Sequence, residues 1–197
     1  MDVLDLFVKR CMNGAFSTDR HLLTLFAIAL ACKGKTYIEL GVKSGNTTMP
    51  ILTAAYLNDG HLTSVDINNT SFKVSAPLVS HWQFVKGDAL TFLSKWEGPI
   101  DFVFIDDKHS CGHIKKELEL IGRWVGPPSV ILLHDLMCEA HEPFYHSDIS
   151  LPEDDLYGAG GPYRAVAELD TAIWEWATLP WGHGLTLLRR KDAGVVR

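Results

Sequence analysis

Five short β-rich runs, TYIEL (36–40), LTSVDI (62–67), WQFVKGD (82–88), IDFVFIDD (100–107) and SVILLHD (129–135), are spaced by stretches of helical pattern, and an acid stands at the end of each. This alternation constrains the chain more than any other feature, because strands joined by helical crossovers lie parallel in a sheet whose faces the helices cover. The connecting helices are predicted over about 48–57, 70–80, 89–96 and 110–125. In the last, Ile114, Leu118, Ile121 and Val125 share one face opposite Lys115, Lys116, Glu117 and Glu119, and the apolar face is expected to pack on the sheet. A further helix near 162–173 and two strands, near 175–179 and 184–190 with Pro180 to Gly184 between them, complete the pattern as an antiparallel hairpin.

Ahead of the first strand, residues 2–13 and 18–32 read as two helices: Leu4, Phe7, Val8 and Cys11 recur at helical spacing, and Thr18 or Ser17 caps the second. The 197 residues therefore suit a single doubly wound α/β domain over 1–197, with 1–35 as an N-terminal helical preamble. Residues 138–161, CEAHEPFYHSDISLPEDDLYGAGG, break the alternation with polar, acidic, proline- and glycine-rich sequence, and a loop of that length beyond the fifth strand marks an active-site loop.

Composition narrows the setting. The longest apolar run near the start, LLTLFAIALAC at 22–32, is too short to span a bilayer and is flanked by Asp19, Arg20, Lys33 and Lys35, so no membrane association is expected. The first ten residues carry Asp2, Asp5 and Lys9, which does not fit the basic start of a secretory signal, and a cytoplasmic protein is expected. Four scattered cysteines without a CxxC pair read as reduced thiols. A net charge of -6 without a basic run longer than Arg189-Arg190-Lys191 argues against a nucleic-acid partner. The 22–32 helix is either core or the surface of a homodimer.

In an open α/β sheet, ligands bind beyond the carboxyl ends of the strands. The first of these ends is Glu39-x-Gly41-x-x-x-Gly45, which is not the GxGxxG of a dinucleotide fold. A carboxylate beside the loop amides repels a pyrophosphate and favours a cation. Asp66 ends the second run, where a carboxylate can accept both hydroxyls of a ribose, and Gly87-Asp88-Ala89 ends the third, where an acid beside free backbone can read an adenine amino group. The pattern describes a pocket for a cationic nucleoside, and a small-molecule substrate is the partner expected beside it.

These motifs, in this order, resemble the class I S-adenosylmethionine-dependent methyltransferases from about Thr36 to Lys191. FIDDKHS at 104–110 and VILLHD at 130–135 resemble a small single-domain branch whose fourth strand ends Ile-Asp-x-x-His and whose fifth ends His-Asp. The resemblance implies a Rossmann-like, seven-stranded, mostly parallel sheet. It also implies S-adenosylmethionine as cofactor, with Glu39, Gly41 and Gly45 lining its methionine end, Asp66 the ribose, and Asp88 with Ala89 the adenine. Lys43 departs from the pattern by bringing a positive charge into the glycine loop unless its stem turns outward.

Methyl transfer is an in-line displacement at a sulfonium carbon, so the protein orients the acceptor and, where that is a hydroxyl, takes its proton. The fourth and fifth strand ends bring Asp106, Asp107, His109, His134 and Asp135 to adjacent sheet positions, a set able to handle a proton or hold a divalent cation. His109, His134 and Asp135 are the expected proton-handling residues, with Asp106 bridging cofactor and acceptor. Catechol-type O-methyltransferases resemble this arrangement, and Asp106 and Asp135 match their metal-binding acids, but Leu136 stands where their amide belongs, so His109 or a loop residue must complete a shell. Each of these residues also has a plainer reading: His134 as a hydrogen-bonded core histidine, His109 as the cap of the helix after it. His21, His61, His81 and His183 read as structural or exposed, His113, His141 and His146 carry weaker signals, and Trp124, Trp174, Trp176 and Trp181 read as core. In the long loop, Phe144, Tyr145, His146 and Tyr157 can close over a substrate about a Gly158 to Gly161 hinge, while Glu153, Asp154 and Asp155 read as a solvated face. Two rivals stay open, a nicotinamide-dependent oxidoreductase and a non-catalytic binding protein that keeps the fold.

Overall fold

The structure, a computed structural model, describes residues 3–137 and 161–191. The 138–160 part of the long loop, with Cys138, His141, Phe144, Tyr145, His146, the acidic run 153–155, Tyr157 and the start of the glycine hinge, lies outside the described residues.

Seven strands, β1 (Thr36–Leu40), β2 (His61–Asp66), β3 (Trp82–Lys86), β4 (Phe102–Ile105), β5 (Val130–His134), β6 (Trp174–Leu179) and β7 (Leu185–Arg190), form one sheet in the order β3-β2-β1-β4-β5-β7-β6. The first five run parallel, and β7 is antiparallel to both β5 and β6, closing the sheet as the hairpin pattern requires. The six helices are α1 (Val3–Asn13), α2 (Leu22–Ala31), α3 (Thr48–Leu57), α4 (Ala89–Ser94), α5 (Cys111–Ile121) and α6 (Gly161–Ala167), among the described residues. None of them is long and apolar enough to cross a membrane.

Strand alternation explains the two cores. Ile38, Leu40, Val103, Ile105, Ile131 and Leu133 point to the face covered by α4, α5 and α6, where they meet Leu93, Ile114, Leu118 and Val166. Tyr37, Leu62, Phe102, Phe104 and Leu132 point to the opposite face and meet Phe7, Leu25, Ile51, Leu52 and Ala55 from α1, α2 and α3. Burying a side chain of this size contributes about 1.5–3 kcal/mol. In α2, Leu22, Leu25 and Ala29 are core while Leu23 is exposed.

Three sequence expectations are corrected. No helix forms over 70–80: only a single 3-10 turn, Leu78–His81, follows β2. The segment is instead bound locally, with the Asn68 amide on Asp66 Oδ1 (2.8 Å) and the Phe72 amide on Thr70 Oγ1 (3.0 Å), side-chain bonds that compete with a helical ladder, and Pro77 removes a further donor. In α5, Glu117 is not on the solvated face with Lys116 and Glu119 but fully buried, because α5 is packed by α4 on one side and α6 on the other. Trp181, expected in the core, is 46% exposed at the β6–β7 turn.

Candidate active site

The β1 exit bends at Gly41 (φ +89), where a Cβ would sit 2.2 Å from the backbone oxygen of Asp106, so only glycine lets the β4 exit cross so closely. Gly45 (φ +79) has a different neighbour: its missing side chain makes room for the ring of Phe72, at 2.2 Å from an added Cβ, and it does not line either cavity described below. Gly45 thus has a packing role beneath Phe72.

Glu39 also turns inward. It shares the face of Tyr37, beneath the start of α3, and is fully buried. Its carboxylate accepts hydroxyl hydrogen bonds from Thr47 (2.7 Å), Thr48 (2.8 Å) and Ser64 (2.6 Å). Burial pushes its pKa up to about 7 against those three bonds. It fastens α3 to β1 and β2 and lines neither cavity.

Asp66 lines the larger cavity, and its Oδ2 also accepts the amides of Val42 and Lys43, both at 2.9 Å, so one carboxylate shapes the glycine loop. Burial favours its protonated form, but the amides of Lys43, Asn68 and Val42 outweigh it and hold the pKa below the ordinary carboxylate range. Asp88 caps α4 through the Thr91 amide (2.8 Å), which keeps its pKa low, and with Ala89 lines the same cavity. The Lys43 ammonium lies 5.7 Å over the ring of Phe16, on the N-terminal segment, so its stem turns towards that segment.

The larger cavity, about 770 Å³, runs along the exits of β1 to β4 and is lined by Gly41, Asp66, Asp88, Ala89, Asp106 and His109 among others. A smaller one, about 260 Å³, lies between Phe16, Ser17 and Thr18 of the N-terminal segment and His134 and Asp135 at the β5 exit. They share Gly41, Val42, Lys43, Asp106, Asp107 and His109, so they are two chambers of one cleft. Arg10 fixes the N-terminal segment over the smaller chamber by pairing with buried Asp19 (2.9 Å) and donating to Asn46 (2.7 Å).

At the junction, His109 Nε2 lies 3.3 Å from Asp106 Oδ1 and 3.0 Å from Asp135 Oδ2. His134 Nδ1 lies 3.0 Å from Asp135 Oδ1 and 3.4 Å from Asp106 Oδ1. Burial disfavours the charge on both imidazoles, yet the two carboxylates outweigh it and push each pKa up to about 10. Asp135 is in turn held far below the ordinary range by His109 and His134 against the effect of its burial. His134 is buried, and neither ring nitrogen makes an aligned hydrogen bond, so it is not the satisfied core histidine of the plainer reading. Ser110, accepting the His113 amide, caps α5, which leaves His109 free of that duty.

The donor atoms of Asp106, His134 and Asp135 all lie within 4.8 Å of one another. Leu136 is buried and apolar, and the third donor is His134 rather than an amide. Two carboxylates and an imidazole whose nitrogens lack aligned partners fit a divalent cation. Asp135 adopts φ +65, a costly conformation for a non-glycine residue, held by its amide bond to Gly184 O (3.1 Å).

Three residues near the cleft carried little or no signal in the sequence. His183 Nδ1 stands 3.3 Å from Asp135 Oδ1 at the β6–β7 turn. A hairpin antiparallel to β5 returns its turn to the β5 exit, and this topology was the available signal. His113 and Glu117, one turn apart on α5, face Asp107: His113 Nε2 is 3.2 Å from Asp107 Oδ2 and 3.4 Å from Glu117 Oε1. Burial pushes Glu117 up to about 8, and the two carboxylates push His113 up to about 9 against its burial. His21, buried as its structural reading has it, packs edge-on against His134 with ring centroids 5.5 Å apart.

The sheet order, with five parallel strands closed by an antiparallel hairpin, is that of the Rossmann-like methyltransferase fold. A family model described as a methyltransferase domain matches residues 38–136, half of the chain, and the chain belongs to that family. No curated protein matches it in sequence. Among solved structures it is similar to the SAH-bound methyltransferase PaMTH1 of Podospora anserina, at 17% identity and TM-score 0.62 over 98% of this chain and 89% of that one. The O-methyltransferase TomG of Streptomyces achromogenes, in complex with SAM, aligns at 16% identity and TM-score 0.64 over 88% and 80%. MycE, a methyltransferase of the mycinamycin biosynthetic pathway in complex with Mg and SAH, aligns at 16% identity and TM-score 0.65 over 100% of this chain and 57% of that one. The family match displaces the nicotinamide-dependent alternative.

Proposed function

We propose that the protein transfers the methyl group of S-adenosylmethionine to a hydroxyl oxygen of a small-molecule acceptor. The observation that carries this reading is the pair of chambers meeting at Asp106 and His109. The larger chamber takes the cofactor, with Asp88 and Ala89 at the adenine, Asp66 at the ribose and Gly41 at the methionine end. The smaller one takes the acceptor. That SAM or SAH is bound in TomG, PaMTH1 and MycE supports the cofactor assignment.

In the reaction the acceptor oxygen attacks the methyl carbon in line with the carbon–sulfur bond. That bond breaks, its electron pair returns to sulfur, and the hydroxyl proton goes to a base. His109 is the proposed base, oriented by Asp106 and Asp135, which also hold the imidazolium once formed; His134 braces the two carboxylates. Because these acids raise the imidazole pKa to about 10, His109 must shed a proton before it can act, and its basicity matches phenol-like hydroxyls. A divalent cation such as the magnesium in MycE, held by Asp106, Asp135 and His134, would act as a Lewis acid that lowers the acceptor hydroxyl pKa.

Calorimetric titration with S-adenosylhomocysteine and separately with NADH tests the cofactor. Binding of the first and not the second is expected, and the reverse overturns the reading. S-Adenosylhomocysteine formation with a panel of phenols and alcohols then tests the acceptor. If neutralising His109, His134 and Asp135 together leaves turnover unchanged, the catalytic assignment fails.

A further inference from the structure

A second group of donors lies behind the wall of the larger chamber. Asp107 at the β4 exit and His113 and Glu117 on α5 bring an oxygen, a nitrogen and an oxygen within 4.8 Å of one another. The three side chains are 19%, 9% and 0% exposed. Both oxygens of Glu117 and Oδ1 of Asp107 are buried without a hydrogen-bond partner. A carboxylate on the core-facing side of a helix is strongly unfavourable unless its charge is compensated. The only ion-pair partner of Glu117 among the described residues is His113. One imidazolium cannot neutralise two carboxylates, so the group balances either with a proton kept on Glu117 or with a divalent cation held beside a neutral imidazole.

The spacings point the same way. Ligand bonds of about 2.1 Å place neighbouring donor atoms about 3.0 to 3.5 Å apart around one ion. His113 Nε2 stands 3.2 Å from Asp107 Oδ2 and 3.4 Å from Glu117 Oε1, and the second contact is misaligned for a hydrogen bond. We propose that Asp107, His113 and Glu117 bind a divalent transition-metal ion of the zinc type. The imidazole favours such an ion over calcium or magnesium, which prefer all-oxygen shells. The ion pins α5 to the end of β4 and so holds a wall of the larger chamber, which Asp107 and His113 both line. This centre is separate from the Asp106, His134 and Asp135 group, and the inference does not rest on the methyl-transfer reading.

The test uses the full chain, stripped with chelator and titrated with Zn2+ by calorimetry and with Co2+ by visible absorption. Asp135→Asn disables the other donor group. D135N is expected to bind one Zn2+ and to gain thermal stability from it; adding Glu117→Gln, which keeps the shape and removes the charge, should weaken that binding at least about 100-fold and abolish the gain. Co2+ bound to D135N should show a ligand-field band that D135N/E117Q lacks. If D135N/E117Q loses its native circular dichroism, His113→Gln in the D135N background is read in its place. Equal Zn2+ binding with and without Glu117, or none in D135N, overturns the proposal and leaves Glu117 holding a proton instead.

Discussion

Along the exits of β1 to β3 the carboxylates are met by neutral donors: Glu39 by three hydroxyls, Asp66 by three backbone amides, Asp88 by the amide of Thr91. At the exits of β4 and β5 the carboxylates are met by imidazoles instead, with Asp106 and Asp135 sharing His109 and His134 and Asp107 facing His113. Neutral donors fix an acid in place without supplying a countercharge, which at Asp66 and Asp88 suits a surface that must hold a ligand. Imidazoles exchange protons and can be displaced by cations, which suits a surface that does chemistry. The same residue type therefore shapes the cleft on one side and arms it on the other.

The sharpest way to break this contrast is at Asp135. Asp135→Asn removes the charge that orients both His109 and His134, and turnover is expected to fall at least about 10³-fold while affinity for S-adenosylhomocysteine stays within a few-fold. Metal-free wild-type turnover should also rise with pH from neutrality towards about 10, since the raised pKa keeps His109 protonated below that value. A pH–rate profile flat across this range would assign the base elsewhere.

Next in size is Glu39. Its pKa rises from an unfolded 4.5 to about 7 on folding, so its protonated form stabilises the fold fully below 4.5 and that contribution disappears as pH rises through 7. Glu39→Gln should remove this dependence, a change on the order of 3 kcal/mol between pH 4 and 8. Denaturant unfolding across that range reads it, and an unaltered slope would mean that Glu39 stays ionised under its hydroxyls. His109 and His134 share the sign: their contribution is full below 6.5 and is lost as pH rises through about 10.

On the shaping side, Asp66→Ala loses both a ribose acceptor and the anchor of the Val42 and Lys43 amides, and should weaken S-adenosylhomocysteine binding by about 10- to 100-fold in calorimetry. The smallest effect belongs to Asp88→Ala, where loss of the α4 cap costs about 1 kcal/mol of stability by thermal melting. A loss in cofactor affinity much larger than the loss in stability would show that Asp88 acts on the ligand more than on the helix.

The shaping side was the more legible in sequence, because strand ends and glycine positions are set by local pattern. β1 and α3 fall where the runs 36–40 and 48–57 place them, and the hairpin closes the sheet as expected. What failed there failed by tertiary direction: Glu39 reads as a strand-end acid in one dimension, yet the alternation that puts it on the face of Tyr37 sends it under α3. The arming side was read in part. Asp106, His109, His134 and Asp135 come together as their strand ends imply, but His183 arrives from a distant turn and Glu117 sits among lysines in sequence. Only the packing of α4 and α6 around α5 makes Glu117 a core residue, and Phe72 covers Gly45 from a segment that forms no helix.

In the proposed reaction cofactor and acceptor meet at Asp106 and His109, and a crystal structure with bound S-adenosylhomocysteine reads this out. The adenine is expected beside Asp88 and Ala89, the ribose on Asp66, and the sulfur at the Asp106–His109 boundary facing the chamber beneath Phe16. A ligand whose sulfur points away from that boundary, or one lodged outside the β1 to β4 exits, would contradict it.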